Sequence, residues 1–146
     1  MSDTRGADLA IGGLPFSEIA GAIRRAWAAS TSYDPATWAP ENPGWGQCAV
    51  TAVTLYRIFG GDVLRNIATL PGGMEVTHYF NRLPDSTIID MTHEQFPPGT
   101  TFTLGRKGRP HGVSVTRRSD RMLEALVDFR GAPLRDLYLP RGATEL

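Results

Sequence analysis

Cys48 is the only cysteine among 146 residues. It stands where a loop of turn-forming residues, Asn42-Pro43-Gly44-Trp45-Gly46-Gln47, gives way to an apolar run closed by Gly60-Gly61. A thiol attacks as the thiolate, and the dipole and free N–H groups of a helix N-terminus favour that anion. A cysteine in a first helical turn therefore has one ingredient of activation, and an adjacent base is the second. The histidines are His78, His93 and His111. His78 lies in a strand-like stretch from Met74 to Leu83, and Asp90 lies in the next, from Thr87 to Met91. With Pro84-Asp85-Ser86 as a three-residue hairpin loop, Leu83 faces Thr87 and paired positions sum to 170. Phe80 then faces Asp90, and His78 is one diagonal step away on the same face. In that register Asp90 can accept a hydrogen bond from the His78 ring and turn its other nitrogen toward a thiol. A slip of one residue would put the two on opposite faces.

Attack on a carbonyl also needs donors for the oxyanion. The backbone N–H of Cys48 is one. The side-chain amide of Asn42 or of Gln47 is a second, with Gln47 handicapped by pointing away from its immediate neighbour. Trp45 is placed to touch a substrate. Each residue also has a plainer reading. A lone cysteine on an apolar helix is by itself more often an inert core residue, His78 a strand residue bonded to a neighbour, and Asp90 a surface carboxylate. A metal set of Cys48, His78, Asp90 and His93 lacks any close-spaced pair such as Cys-x-x-Cys, so the reading is without metal or cofactor.

The elements that must position these residues follow from periodicity. Pro15 to Ala29 reads as a helix, with Ile19, Ala22, Ile23, Ala26 and Trp27 inward and Arg24 and Arg25 outward. Residues 30–47 form a long irregular passage. Three prolines stiffen it, and Tyr33, Trp38 and Trp45 are large side chains expected to be buried, so the loop is expected to be ordered. The helix from about Gln47 to Phe59 is apolar nearly all round, with only Thr51, Thr54 and Arg57 as a narrow polar stripe, so it is central. A strand over Asp62–Ala68 precedes the hairpin. Beyond it come one helical turn at 92–95, a strand at Thr101–Leu104, a mobile loop at 105–112, and strand or loop at 113–116. A helix capped by Ser119 then runs to Phe129 and ends at Gly131. Residues 134–139 are a short extended segment.

Composition bounds the rest. Apolar residues make up 41% and charged residues 21%, as in an ordinary globular domain. Fifteen basic residues balance fifteen acidic ones, so no overall field favours nucleic acid. The basic cluster at 106–121 lacks interleaved aromatics and reads as solvated. No apolar run is long enough to span a membrane, no secretion signal opens the chain, and a lone cysteine suits a reducing cytoplasm. Residues 1–13 are expected to be a flexible arm and 14–146 one domain.

Several segments carry a resemblance: Asn42-Pro43, Gly46-Gln47-Cys48-Ala49-Val50-Thr51-Ala52, His78-Tyr79-Phe80-Asn81-Arg82-Leu83-Pro84-Asp85, Ile89-Asp90-Met91-Thr92 and Gln95-Phe96. Together they resemble the small bacterial YunG-like proteins, which are similar in layout to the papain-like cysteine hydrolase superfamily. The chain order Cys, His, acid is that superfamily's order. The resemblance implies Cys48 as nucleophile, His78 as base and Asp90 as orienting residue. It also implies a papain-like α+β fold, in which a Cys-bearing helix packs on an antiparallel sheet with flanking helices. One departure is that the papain pattern has its oxyanion glutamine several residues before the cysteine, whereas Gln47 abuts Cys48. The expected function is cysteine-dependent acyl transfer (hydrolysis, deamidation or transfer to an amine) on a small-molecule or peptide substrate with an amide or thioester carbonyl. The alternative is a binding or regulatory module that keeps the scaffold without turnover.

Overall fold

The computed structural model describes residues 10–11, 14–110 and 113–126. The expected arm at 1–13 falls mostly outside them, as do the helix end at 127–131 and the extended segment at 134–139. The order of elements is β1 (Ala10–Ile11), β2 (Leu14–Pro15), α1 (Phe16–Ala26), α2 (Cys48–Phe59), β3 (Asp62–Thr69), β4 (Glu75–Arg82), β5 (Ile88–Ile89), β6 (Thr101–Phe102), β7 (Arg106–Lys107) and α3 (Val113–Ala125). Short 3₁₀ turns lie at Ala29–Thr31 and His93–Gln95. Among the described residues the architecture is α+β: three α-helices, a five-stranded antiparallel sheet and a separate β1–β2 pair.

The sheet runs β5-β4-β3, and β6 and β7 both pair with the far side of β3. One segment lays two short strands along that side, Phe102 opposite Ala68 and Lys107 opposite Leu64. Between them Thr103 exchanges bonds with Ile67 through its backbone N–H and its hydroxyl. Residues 106 and 107 are therefore strand, where the glycines on either side suggest a mobile loop. The pairing with β3 overrides that local signal.

Helix α2 is the hub. Val50, Leu55 and Ile58 join Phe16, Ile19 and Ile23 of α1 and Met122 and Leu123 of α3 in the main core. The polar stripe is buried too. Trp27 Nε1 donates to Thr51 Oγ1 at 2.9 Å, Thr54 Oγ1 donates to the Val50 carbonyl, and Arg57 Nη1 reaches Ser119 Oγ and Asp120 Oδ1 at 2.7 and 2.8 Å. On the sheet side Asn81 Nδ2 donates to the Ala52 carbonyl at 3.0 Å, fastening β4 to the middle of α2. Helix α3 begins at Val113, six residues before the expected cap, so residues 113–116 are helical. Ser119 is fully buried mid-helix, its hydroxyl bonded to the Thr116 carbonyl.

The loop before α2 is held at many points. Tyr33 N–H donates to the Gly46 carbonyl, Ser32 Oγ to the Trp45 carbonyl, and Trp45 Nε1 to Asp34 Oδ2. Tyr33 is itself 79% exposed, contrary to the expectation that its bulk needs burial. Its backbone and its ring face make the contacts instead. Gly46 adopts φ 73°, and a Cβ there would collide with Ser32 Oγ. Gly46→Ala should therefore lose about 2 kcal/mol or more in urea unfolding, from left-handed strain plus the clash. Gly72→Ala, with nothing within 4 Å, should stay within about 0.5 kcal/mol of wild type. Equal losses in the two variants would show that the loop is not held as described.

Candidate active site

Cys48 is the first residue of α2, and its N-cap Gln47 makes no side-chain cap hydrogen bond. The first N–H groups of a helix have no intrahelical acceptor, so an uncapped end directs them and the positive end of the dipole at the cysteine. The thiol is partly exposed, and Sγ lies 4.0 Å from the Thr77 carbonyl on β4.

The hairpin has the register in which positions sum to 170: Asn81 faces Ile89, Arg82 faces Ile88, and Leu83 N–H donates to the Thr87 carbonyl. Ser86 takes φ 73° to close the turn, and Asp85 Oδ1 accepts the Thr87 N–H. The strand after the turn is shorter than expected, Ile88–Ile89, because the chain leaves the ladder toward the 3₁₀ turn. The diagonal survives. His78 Nε2 and Asp90 Oδ2 are 2.7 Å apart.

His78 is fully buried in an aromatic enclosure. Phe80 stacks on it at 5.8 Å, Phe96 meets it edge-on at 4.9 Å and Phe102 lies at 6.0 Å. Burial is the largest influence on the ring's pKa and lowers it. The hydrogen bonds and charges of Asp90 and Cys48 outweigh burial together and raise the pKa from 6.5 to about 9. The second ring nitrogen, Nδ1, is buried and completes no hydrogen bond at rest, although the Cys48 thiol is near enough to favour the protonated ring. Hydrogen bonds of this kind are often long before substrate arrives. Exposed His93 adds Nδ1 at 3.6 Å from the same Asp90 oxygen.

The structure thus brings His78 into contact with Asp90 and places Cys48 near the same ring. Trp45 lines a groove of about 620 Å³ together with Cys48, Gly46, Thr77, Tyr79 and Phe96. The two amides considered for the oxyanion are located elsewhere. Gln47 is fully buried, with Oε1 accepting from Thr31 Oγ1 at 2.8 Å and Nε2 donating to the Ala28 carbonyl at 2.9 Å. Both ends of its amide are engaged in locking the loop to the 3₁₀ turn that follows α1. Asn42 Nδ2 donates to the Gln95 carbonyl at 3.1 Å and is not among the groove residues. Both side-chain amides are thus engaged in holding the loop, whereas Cys48, whose backbone N–H is the third donor considered, lines the groove.

Two residues of the site were not singled out from sequence. Gln95 accepts the Gly46 N–H with Oε1 at 3.1 Å, tying the turn after Asp90 to the loop before Cys48. Nothing local in the sequence signals that long-range bond. Arg118, read as part of a solvated basic cluster, is 9% exposed and lines the groove. A helical signal was available, because Val115 and Met122 fall on its face. Among the described residues no cluster of three or more His, Cys, Asp or Glu side chains is placed to hold a metal, and no helix is long and apolar enough to cross a membrane.

The family model described as YunG protein matches residues 15–128. A Bacillus subtilis (strain 168) protein described as "Uncharacterized protein YunG" is 30% identical over 74 residues, 51% of this chain and 56% of that protein. The match thus spans little more than half the relative's length. No solved structure matches the chain.

The raised pKa fixes a stability signature. A group with a raised folded pKa stabilises fully below its unfolded value, here 6.5, and loses that stabilisation as pH rises through about 9. Asp90→Asn keeps the shape and removes the anion. It should be less stable than wild type by roughly 2 kcal/mol near pH 6, at about 1.4 kcal/mol per pKa unit, with the gap closing toward pH 9. Thermal unfolding of both proteins across that range provides the check. A gap independent of pH would show that His78 is neutral when folded.

Proposed function

The chain belongs to the YunG family, and we propose that it is a papain-like, cysteine-dependent acyl-transfer enzyme with Cys48 as nucleophile, His78 as base and Asp90 as orienting group. The observation that carries this reading is the buried His78 ring, which is bonded to Asp90 on one side and raised to about 9 jointly by Asp90 and a groove-facing thiol. A buried histidine with a purely structural role has no need of a thiol on a helix N-terminus as its second neighbour.

In the reaction, the Cys48 proton resides on His78 and the thiolate attacks an amide carbonyl carbon. The carbonyl π pair moves to oxygen, and the Cys48 N–H at the start of α2 meets the developing charge. Collapse breaks the C–N bond. His78 gives its proton to the leaving amine, and a thioester remains on Cys48. Because Cys48 contributes to the raised pKa of His78, forming the thioester removes that contribution and lowers the pKa, so the ring, having given up its proton, stays neutral and free to accept another. It then takes a proton from water, which attacks the thioester. The second collapse expels the thiolate and releases the acid. An amine in place of water completes transfer to a new amide.

Iodoacetamide labelling tests the reading without a known substrate. Native protein at about pH 6.5 should be alkylated at Cys48 at least roughly tenfold faster than the urea-unfolded chain. His78→Ala should remove the advantage, and Asp90→Asn should reduce it. Native labelling that becomes appreciable only near pH 8.5, the range of a free thiol, would leave the non-catalytic module as the better reading.

A further inference from the structure

Arg118 occupies an unusual electrostatic position. Its helix α3 flanks the groove, and the guanidinium is nearly buried among groove residues that include Cys48. Nη1 donates to the Thr31 carbonyl at 3.3 Å, and the Tyr33 ring lies 5.7 Å from the guanidinium carbon. Nε is buried without an acceptor. Among the described residues no ion pair joins Arg118 to a carboxylate. The nearby acid of the same helix, Asp120, is bonded to Arg57 instead. Burial disfavours the cation, and the groups that offset this are Cys48 and Tyr33. A desolvated guanidinium without a carboxylate partner is costly, and such a cost persists where a ligand supplies one.

On the reading of Cys48 as nucleophile, we propose that the groove takes substrates bearing a carboxylate and that Arg118 binds it while Cys48 attacks the nearby carbonyl. Nη1 is turned to Thr31 and Nε is closed off from solvent, so Nη2 is the donor left to meet a carboxylate oxygen. A phosphate fits less well. It carries close to two charges at neutral pH, and Arg118 faces them with one. Asp34, whose carboxyl is held below its usual range first by the Trp45 hydrogen bond and then by Thr37, also lines the groove as an anion. With that fixed anion in the same groove, a second negative charge on the ligand is opposed rather than matched.

The probe is a matched pair of alkylating agents, anionic iodoacetate and neutral iodoacetamide. Their rate ratio at Cys48 in native protein should favour iodoacetate by roughly tenfold relative to the same ratio in the unfolded chain, the worth of one charge-assisted contact. Arg118→Gln should return the ratio to the unfolded value. Arg118→Lys, which keeps the charge and replaces the planar guanidinium, should fall between. Acetate at constant ionic strength should also slow iodoacetamide labelling of wild type, which decides the matter even where the variants fail to fold. A native ratio equal to the unfolded one overturns the proposal. So does an Arg118→Gln variant in which both rates fall and the ratio stays, since Arg118 would then act on the thiolate alone. Protection by inorganic phosphate but not by acetate overturns the carboxylate assignment. The ratio is independent of the absolute rate, so an ordinary iodoacetamide rate would count against the nucleophile reading without deciding the Arg118 contact.

Discussion

The contact between His78 and Asp90 sets the terms for the region around it. A fully buried imidazole enclosed by Phe80, Phe96 and Phe102 would ordinarily be neutral, because the enclosure removes the water that a cation needs. Asp90, from 2.7 Å, and the Cys48 thiol together reverse that preference. The pair therefore requires Asp90 on the same face of the hairpin as His78, which requires the three-residue turn. The turn in turn requires Ser86 at positive φ and the Asp85 side chain bonded back to the Thr87 N–H. A short stretch of turn chemistry thus determines whether a charge can exist twelve residues apart in the interior.

The opposite wall is built by long-range polar bonds. Gln47 and Gln95 have complementary tasks. The first fixes the loop from below, through Thr31 and Ala28, and the second fixes it from the side, through the Gly46 N–H. Cys48 follows directly on this doubly held point, so its position relative to β4 is set by the same network that closes the groove. Helix α2 adds the Asn81–Ala52 bond to the sheet and the Arg57 bonds to α3. Cys48 is thereby attached to each layer of the structure.

Much of this was legible in the sequence where local rules decide. The all-round apolarity of residues 48–59 marked a central helix, and the Pro84-Asp85-Ser86 loop length gave the register that pairs Asn81 with Ile89. Residues whose fate depends on distant partners were not legible. Gln47 looks available beside Cys48 until Thr31 and Ala28 are seen to occupy it. Residues 106–107 look like loop until β3 recruits them, and Ser119 reads as a cap although α3 already starts at Val113. Arg118 was concealed by composition. Six basic residues between 106 and 121 suggest a solvated surface, but helical geometry rotates one of them inward. Charge counted along the chain says little about charge placed in a groove.

Strand β3 has a further consequence for the protein in solution. Its outer side would be an eight-residue row of unpaired backbone groups, yet one segment of chain covers it at both ends and is pinned in the middle by Thr103. Exposed strand margins template growth by addition of further chains. Here the β3 margin is occupied by the molecule's own backbone, whereas on the opposite margin the two-residue β5 covers only Asn81 and Arg82 of β4. The sheet that carries His78 is thereby shielded from fibre-like accretion on the β3 side, even though Phe102 is partly exposed along that border.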